Sequence, residues 1–148
     1  MEAVTQVTEG ELLNIDGKTL RGAKEVENSR SLIHMVSVWS ASQHLVLGQT
    51  KVSEKSNEIT AIPPLLEMLA IRGCLVSIDA MGCQTKIAKT IVEQGADYVL
   101  ALKGNQGDLH TDVAQLFTAA RTQNFRNIEH QFHSTVSKGH GRVETRRY

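Results

Sequence analysis

The sequence predicts an α/β domain built on a mixed five-stranded sheet, and three observations carry that reading. Residues 12–52 hold three short apolar runs separated by polar connections, with no helical period between them. Residues 61–120 then alternate helical patterns with short apolar runs, which demands parallel crossovers. Finally, two of the runs, Leu12-Leu13-Asn14-Ile15-Asp16 and Cys74-Leu75-Val76-Ser77-Ile78-Asp79, end in an aspartate followed by small or polar residues.

The elements follow in order. The first strand, Leu12 to Asp16, leaves through Gly17 to Gly22 into a charged loop at 23–31. Ile33 to Trp39 and Leu45 to Val52 read as two strands joined by Ser40 to His44, a hairpin-length connection. Helical periodicity begins near Ala61, with Ile62, Leu65, Leu66 and Leu69 on one face and Pro63-Pro64 compatible only with a first turn. Gly73 punctuates the step into the strand ending at Asp79. From Gln84 to Gln94, Ile87, Ala88, Ile91 and Val92 share a helical face, and Gly95 is placed as a C-terminal cap. Tyr98 to Leu102 is a continuous apolar run suited to a strand buried on both faces. Leu109, Val113, Leu116 and Phe117 then mark an amphipathic helix from Asp108 to Ala120. Residues 121–133 are weakly patterned, and Lys138-Gly139 separates Ser134–Ser137 from a polar, extended end. Trp39 and Met35 are expected to fill core or sheet surface.

Three strands, helix, strand, helix, strand, helix is the layout of the ribonuclease H-like fold. In that layout the first and fourth strands are neighbours, so Asp16 and Asp79 are expected side by side. A doubly wound nucleotide-binding fold competes poorly, because the first turn lacks a Gly-rich phosphate loop and hairpins separate the early strands. At 148 residues and 41% hydrophobic, the chain fits a single domain over 1–148.

Charge narrows the function classes. Lys plus Arg and Asp plus Glu number 16 each, so the chain lacks the net positive charge of a self-sufficient nucleic-acid binder. The distribution is uneven: residues 121–148 carry six Lys or Arg against Glu129 and Glu144, a basic tail explained either as solvated surface or as a phosphate contact. No stretch approaches the roughly 18 apolar residues of a membrane span, and the acidic N-terminus lacks a signal-peptide pattern. A cytoplasmic protein with reduced Cys74 and Cys83 and no zinc site is the expectation.

Two carboxylates delivered by neighbouring strands can bridge divalent cations about 3.5–4 Å apart. Each acid also has an ordinary explanation: Asp16-Gly17 is a common hairpin turn pair, and Asp79 can cap the helix after it.

The wording of the chain resembles a known family. Ile15-Asp16-Gly17-Lys18-Thr19-Leu20-Arg21-Gly22, His34-Met35-Val36-Ser37, Glu54-Lys55-Ser56-Asn57-Glu58-Ile59, Ile78-Asp79-Ala80-Met81-Gly82-Cys83-Gln84, Tyr98-Val99-Leu100-Ala101-Leu102-Lys103-Gly104-Asn105-Gln106 and His140-Gly141-Arg142-Val143-Glu144 look like bacterial insertion-sequence transposases of the DDE type, close to the H-repeat-associated proteins. The resemblance implies Mg²⁺- or Mn²⁺-dependent phosphoryl transfer on DNA: nicking at an element end, then attack of the freed 3′-hydroxyl on a target strand. It makes Asp16 the bridging metal ligand and Asp79 the second. It also implies phosphate contacts for Lys103, Lys18, Arg21 and Arg142, although a lysine after a strand is ordinarily only solvated. Asn105 and Gln106 are equally well explained as helix-start residues.

The resemblance further implies a third acid, a glutamate on a later helix downstream of the His140–Glu144 segment, and a region ahead of the first strand. The expectation is therefore a catalytic-core fragment that is inactive alone, paired with itself or with full-length transposase. The alternative is a noncatalytic truncated remnant acting as an interaction module. Glu144 is the one substitute acid in reach, with a surface ion pair as its ordinary reading.

Overall fold

The computed structural model describes residues 9–20, 33–52, 58–139 and 141–147. The chain divides into two compact units, residues 1–106 and 107–148.

The first unit is the sheet. Strand β1 (Leu12–Leu20) pairs antiparallel with β2 (Ile33–Ser40), which pairs antiparallel with β3 (Leu45–Val52). Helix α1 (Glu58–Glu67) leads to β4 (Leu75–Ile78), and α2 (Thr85–Glu93) leads to β5 (Asp97–Leu100). Both β4 and β5 join in parallel, giving the order β3-β2-β1-β4-β5. This is the ribonuclease H-like mixed sheet expected from the element order.

Period-two alternation decides which face is covered. Leu13, Ile15, Val36, Val38, Val76 and Ile78 point to one face and are buried under Ile62, Leu65 and Leu66 of α1 and Ile87 and Ile91 of α2. The opposite face carries Leu12, Trp39, Val46 and Val99, all between 38% and 57% exposed. Trp39 thus belongs to sheet surface, and Met35 is half-buried.

Two boundaries and one burial pattern differ from the sequence expectation. Strand β1 continues past Asp16 to Leu20, because β2 supplies antiparallel partners as far as Leu20↔Ile33. Helix α1 starts at Glu58, so Pro63 and Pro64 lie inside it and not in its first turn. They remove two intrahelical donors, and the helix persists because Ile62, Pro63, Leu65 and Leu66 are buried against the sheet. Strand β5 is not buried on both faces: it is an edge strand, with Asp97, Tyr98 and Val99 exposed. Gly95 takes φ +75° after α2, the left-handed turn expected of a C-terminal glycine.

The second unit comprises α3 (Gly107–Thr122) and a two-stranded antiparallel sheet of β6 (Ser134–Gly139) and β7 (Arg142–Arg147). β6 and β7 thus form a two-stranded antiparallel pair, and Gly141 ahead of β7 takes φ +74°. The apolar stripe of α3 is present but uncovered, with Leu109, Leu116 and Phe117 more than half exposed.

Candidate functional site

The site begins with a register. β1 and β4 pair in parallel through Leu13↔Val76, Asn14↔Ser77 and Ile15↔Ile78. The next position on each strand is Asp16 and Asp79. Alternation puts Asn14 and Asp16 opposite the buried Leu13 and Ile15, and Ser77 opposite the buried Val76 and Ile78. That Asn14 and Ser77 share this open face is shown directly, since Ser77 Oγ donates to Asn14 Oδ1 at 2.6 Å. Asp16 follows on the same side of β1, and both Asp16 and Asp79 are exposed.

Asp79 has a structural duty as well. Its backbone is extended (φ −68°, ψ 178°), and its Oδ1 accepts from the Met81 N–H at 3.0 Å, capping a single 3₁₀ turn over Ala80–Gly82. Capping occupies one carboxylate oxygen and orients the group, which is compatible with the second oxygen serving a cation.

The loop after β5 is tied to that same turn. Asn105 Nδ2 donates to the Ala80 carbonyl and Gln106 Nε2 to the Cys83 carbonyl, both at 2.8 Å. Asn105 and Gln106 therefore act as struts from the Lys103 loop to the Asp79 turn, a long-range role that a helix-start reading could not reveal. Exposed Lys103 is held in the loop next to the acid-bearing turn, and Lys18, two residues beyond Asp16, lies exposed on the same side of β1. Arg21 lies outside the described residues. Arg142 is exposed at the start of β7, in the second unit. Glu144 forms a surface ion pair with Arg146 at 3.0 Å, both side chains more than half exposed.

Glu58 is a buried acid beside Gly17 and Asp79 that sequence reasoning did not single out. It opens α1 and is only 6% exposed. Its carboxylate rests on the Gly17 Cα: a Cβ there would lie 2.3 Å from Oε2 and 2.6 Å from Cδ. Glu58, Gly17, Asp79, Met81 and Gly82 line one cavity of about 10 Å³, room for no more than a water molecule. The available signal was a glutamate at the start of an apolar helical pattern, which reads as ordinary first-turn charge.

The donor chemistry suits a hard divalent cation. The paired side chains are carboxylates, without cysteine or histidine between them. Among the described residues, no group of three or more His, Cys, Asp or Glu is arranged to hold a metal ion.

Comparison with known proteins agrees with the motif reading. Residues 8–146 match the family described as "Transposase DDE domain". The chain is 47% identical over 146 residues to "Putative transposase YncI" of Escherichia coli strain K12, covering 99% of this chain and 58% of that protein. It is 46% identical over 136 residues to "H repeat-associated putative transposase YhhI" of the same strain, covering 92% of this chain and 35% of that protein. A third relative, "H repeat-associated putative transposase YbfD", is 43% identical, with 92% and 53% covered. The chain thus spans between about a third and three-fifths of these curated relatives. Among solved structures, a piggyBac transposase synaptic complex with hairpin DNA superposes with a TM-score of 0.47 at 15% identity, over 66% of this chain and 24% of that one. A simian T-cell lymphotropic virus intasome gives 0.47 at 12% identity, over 82% and 47%. Since the family match runs from residue 8 to residue 146 of 148, the chain belongs to the transposase DDE domain family.

Proposed function

We propose that Asp16 and Asp79 hold a divalent cation, Mg²⁺ or Mn²⁺, for phosphoryl transfer on DNA, and that this chain carries the core of a transposase active site. The observation that supports this reading is the parallel β1–β4 register, in which Asp16 and Asp79 directly follow the Ile15↔Ile78 pair. Asp16 and Asp79 would hold the cation, which would supply Lewis acidity toward a water and a scissile phosphate. The chain's own contribution is position: β1 holds Asp16, the 3₁₀ turn orients Asp79, and the Asn105 and Gln106 struts keep the Lys103 loop beside them. Lys18, Arg21, Lys103 and Arg142 supply cations for DNA phosphate, at element ends and target alike. In this reading residues 1–148 belong to one catalytic domain, and 121–148 is its basic tail.

Two acids make a loose, hydrated site, so the chain alone binds metal weakly and does not complete strand transfer. The absence of a three-acid group among the described residues favours a second reading, a noncatalytic remnant that pairs with itself or with full-length transposase. Manganese titration of the wild-type chain, Asp16→Ala and Asp79→Ala, together with a nicking assay on labelled DNA, separates the readings. The expected result is weak binding in the wild type, loss in both variants, and no robust nicking. Equal affinity in all three overturns the metal site. Robust Mn²⁺-dependent nicking abolished by Asp79→Asn overturns the reading of weak, two-acid metal binding without chemistry.

A further inference from the structure

We infer that the second unit carries a cleft for one unpaired nucleotide of a DNA strand, in which phenylalanine rings take the base and two arginines take its phosphate. The inference rests on the DNA reading above and names the part of DNA that this unit holds; it does not depend on the metal site.

The aromatic residues of the chain are unevenly placed. It has three phenylalanines, Phe117, Phe125 and Phe132, and all three line one cleft of about 450 Å³ together with His130, Arg121 and Arg147. Phe117 and Arg121 are four residues apart on α3 and so share a helix face, while Arg147 ends β7. Two of the rings are left to solvent, Phe117 at 54% and Phe132 at 72% exposure. The third is held in place. Phe125 stacks on His130 with ring centroids 4.6 Å apart and planes 22° apart, and His130 Nδ1 donates to the Ile128 carbonyl at 2.8 Å, which orients that ring. Phe125 also takes φ +55°, a left-handed conformation that a bulky residue rarely adopts, in a turn with Asn124 at +49° and Asn127 at +63°. Its N–H donates to the Ala120 carbonyl at 2.7 Å, so the end of α3 anchors the strained turn. Backbone strain of this kind gathers where a side chain is positioned for a ligand.

Charge narrows the ligand. No Asp or Glu lines the cleft, and among the described residues neither Arg121 nor Arg147 is in an ion pair. Duplex DNA would satisfy the arginines, but its base faces are already stacked and leave the rings unused. An apolar peptide would cover the rings and strip water from two cations without pairing them. An unpaired nucleotide offers a planar face and a phosphate together, matching base–aromatic stacking and arginine–phosphate pairing. The cleft also falls within the range of small-ligand sites, roughly 300–1,000 Å³.

The test uses the full chain in EDTA and a fluorescein-labelled duplex, either blunt or carrying a short single-stranded tail that contains 2-aminopurine. Anisotropy reads affinity, and 2-aminopurine emission reads stacking. The variants are Phe132→Leu, Arg147→Gln and Lys138→Gln, the last removing an exposed charge of β6 that does not line the cleft. The tailed duplex is expected to bind about ten-fold more tightly than the blunt one, with quenched 2-aminopurine emission. Phe132→Leu keeps an apolar side chain without a ring; it is expected to reduce that preference about five-fold and relieve the quenching. Arg147→Gln is expected to weaken tailed binding about five-fold, against no more than about two-fold for Lys138→Gln. A preference unchanged in Phe132→Leu, or equal losses in Arg147→Gln and Lys138→Gln, overturns the proposal. Should Phe132→Leu melt below the wild type, Phe117→Leu decides by the same criterion. Stronger binding of an acidic, tyrosine-containing peptide than of the tail assigns the cleft to a protein and overturns it as well. Equal wild-type binding of blunt and tailed duplexes removes the cleft and leaves the DNA reading standing, whereas binding of neither removes both.

Discussion

Ser77 Oγ donates to Asn14 Oδ1 at 2.6 Å across the β1–β4 junction, one register position beside the buried Ile15↔Ile78 pair and two before the acids. This side-chain bond links the two strands on the same open face that carries Asp16. Ser77→Ala is expected to cost about 0.5–1.5 kcal/mol by urea unfolding, because a half-buried Asn14 oxygen loses its donor. A double-mutant cycle with Asn14→Ala isolates the coupling.

Asp79 serves as both cap and proposed ligand, and the two roles separate by substitution. Asp79→Asn keeps an oxygen acceptor for the Met81 N–H and is expected to hold wild-type stability while losing Mn²⁺ binding. Asp79→Ala loses both, at about 0.5–1 kcal/mol for the cap. Calorimetric unfolding paired with metal titration reads the difference.

Glu11 ties the β2–β3 turn to the start of β1. Its carboxylate is 4% exposed and accepts from Ser40 Oγ, from Ser42 Oγ at 2.7 Å and from Gln43 Nε2 at 3.4 Å. Glu11→Ala would leave the fully buried Ser40 hydroxyl without this acceptor. The expected loss is about 2–4 kcal/mol, measured as a shift in the urea midpoint at constant slope.

Cys74 is buried and Cys83 only half-buried, so reagents reach the two thiols unequally. Burial, and then the nearby Glu11 charge, push the Cys74 thiol above its ordinary 9.0. The folded chain therefore holds this proton more tightly than the unfolded chain does. Its contribution to stability is complete below pH 9 and falls as pH rises toward the folded value. Alkylation followed by mass spectrometry at pH 8 should label Cys83 first, and labelling of Cys74 should track unfolding.

DNA affinity should be weak and should fall as salt rises, since the net charge is zero and binding grows with the number of phosphates neutralised. Lys103→Ala is expected to lower the slope of log K against log salt by about one. Fluorescence anisotropy from low to physiological salt measures it.

The fold was readable because its signals are periodic. Alternation in Leu13, Ile15, Val36 and Val38 and the three- and four-residue spacing of Ile62, Leu65 and Leu66 give element types, and their order gives the sheet. The pairing of the strands that lead to Asp16 and Asp79 followed from the fold's topology. What escaped was tertiary. That β5 lies at an edge depends on which strand is last to join, which an apolar run does not encode. Pro63 and Pro64 inside α1 reflect burial overriding backbone preference. Glu58, Asn105 and Gln106 act through atoms 23 or more residues away in sequence or through a missing Cβ at Gly17, and no local pattern marks such partners.

The parallel β1–β4 join also sets a timetable for the nascent chain. β1, β2 and β3 pair with their sequence neighbours and can form a meander as soon as residue 52 has emerged. The strand leading to Asp79 completes 27 residues after residue 52 and joins β1 only by crossing over through α1, an interval on the order of 1–5 s at ordinary translation rates. During that interval the β4-facing edge of β1 lacks its partner, and closing so long a loop is the slow step for a contact of this range. The two aspartates are thus among the last parts of the sheet to be brought together.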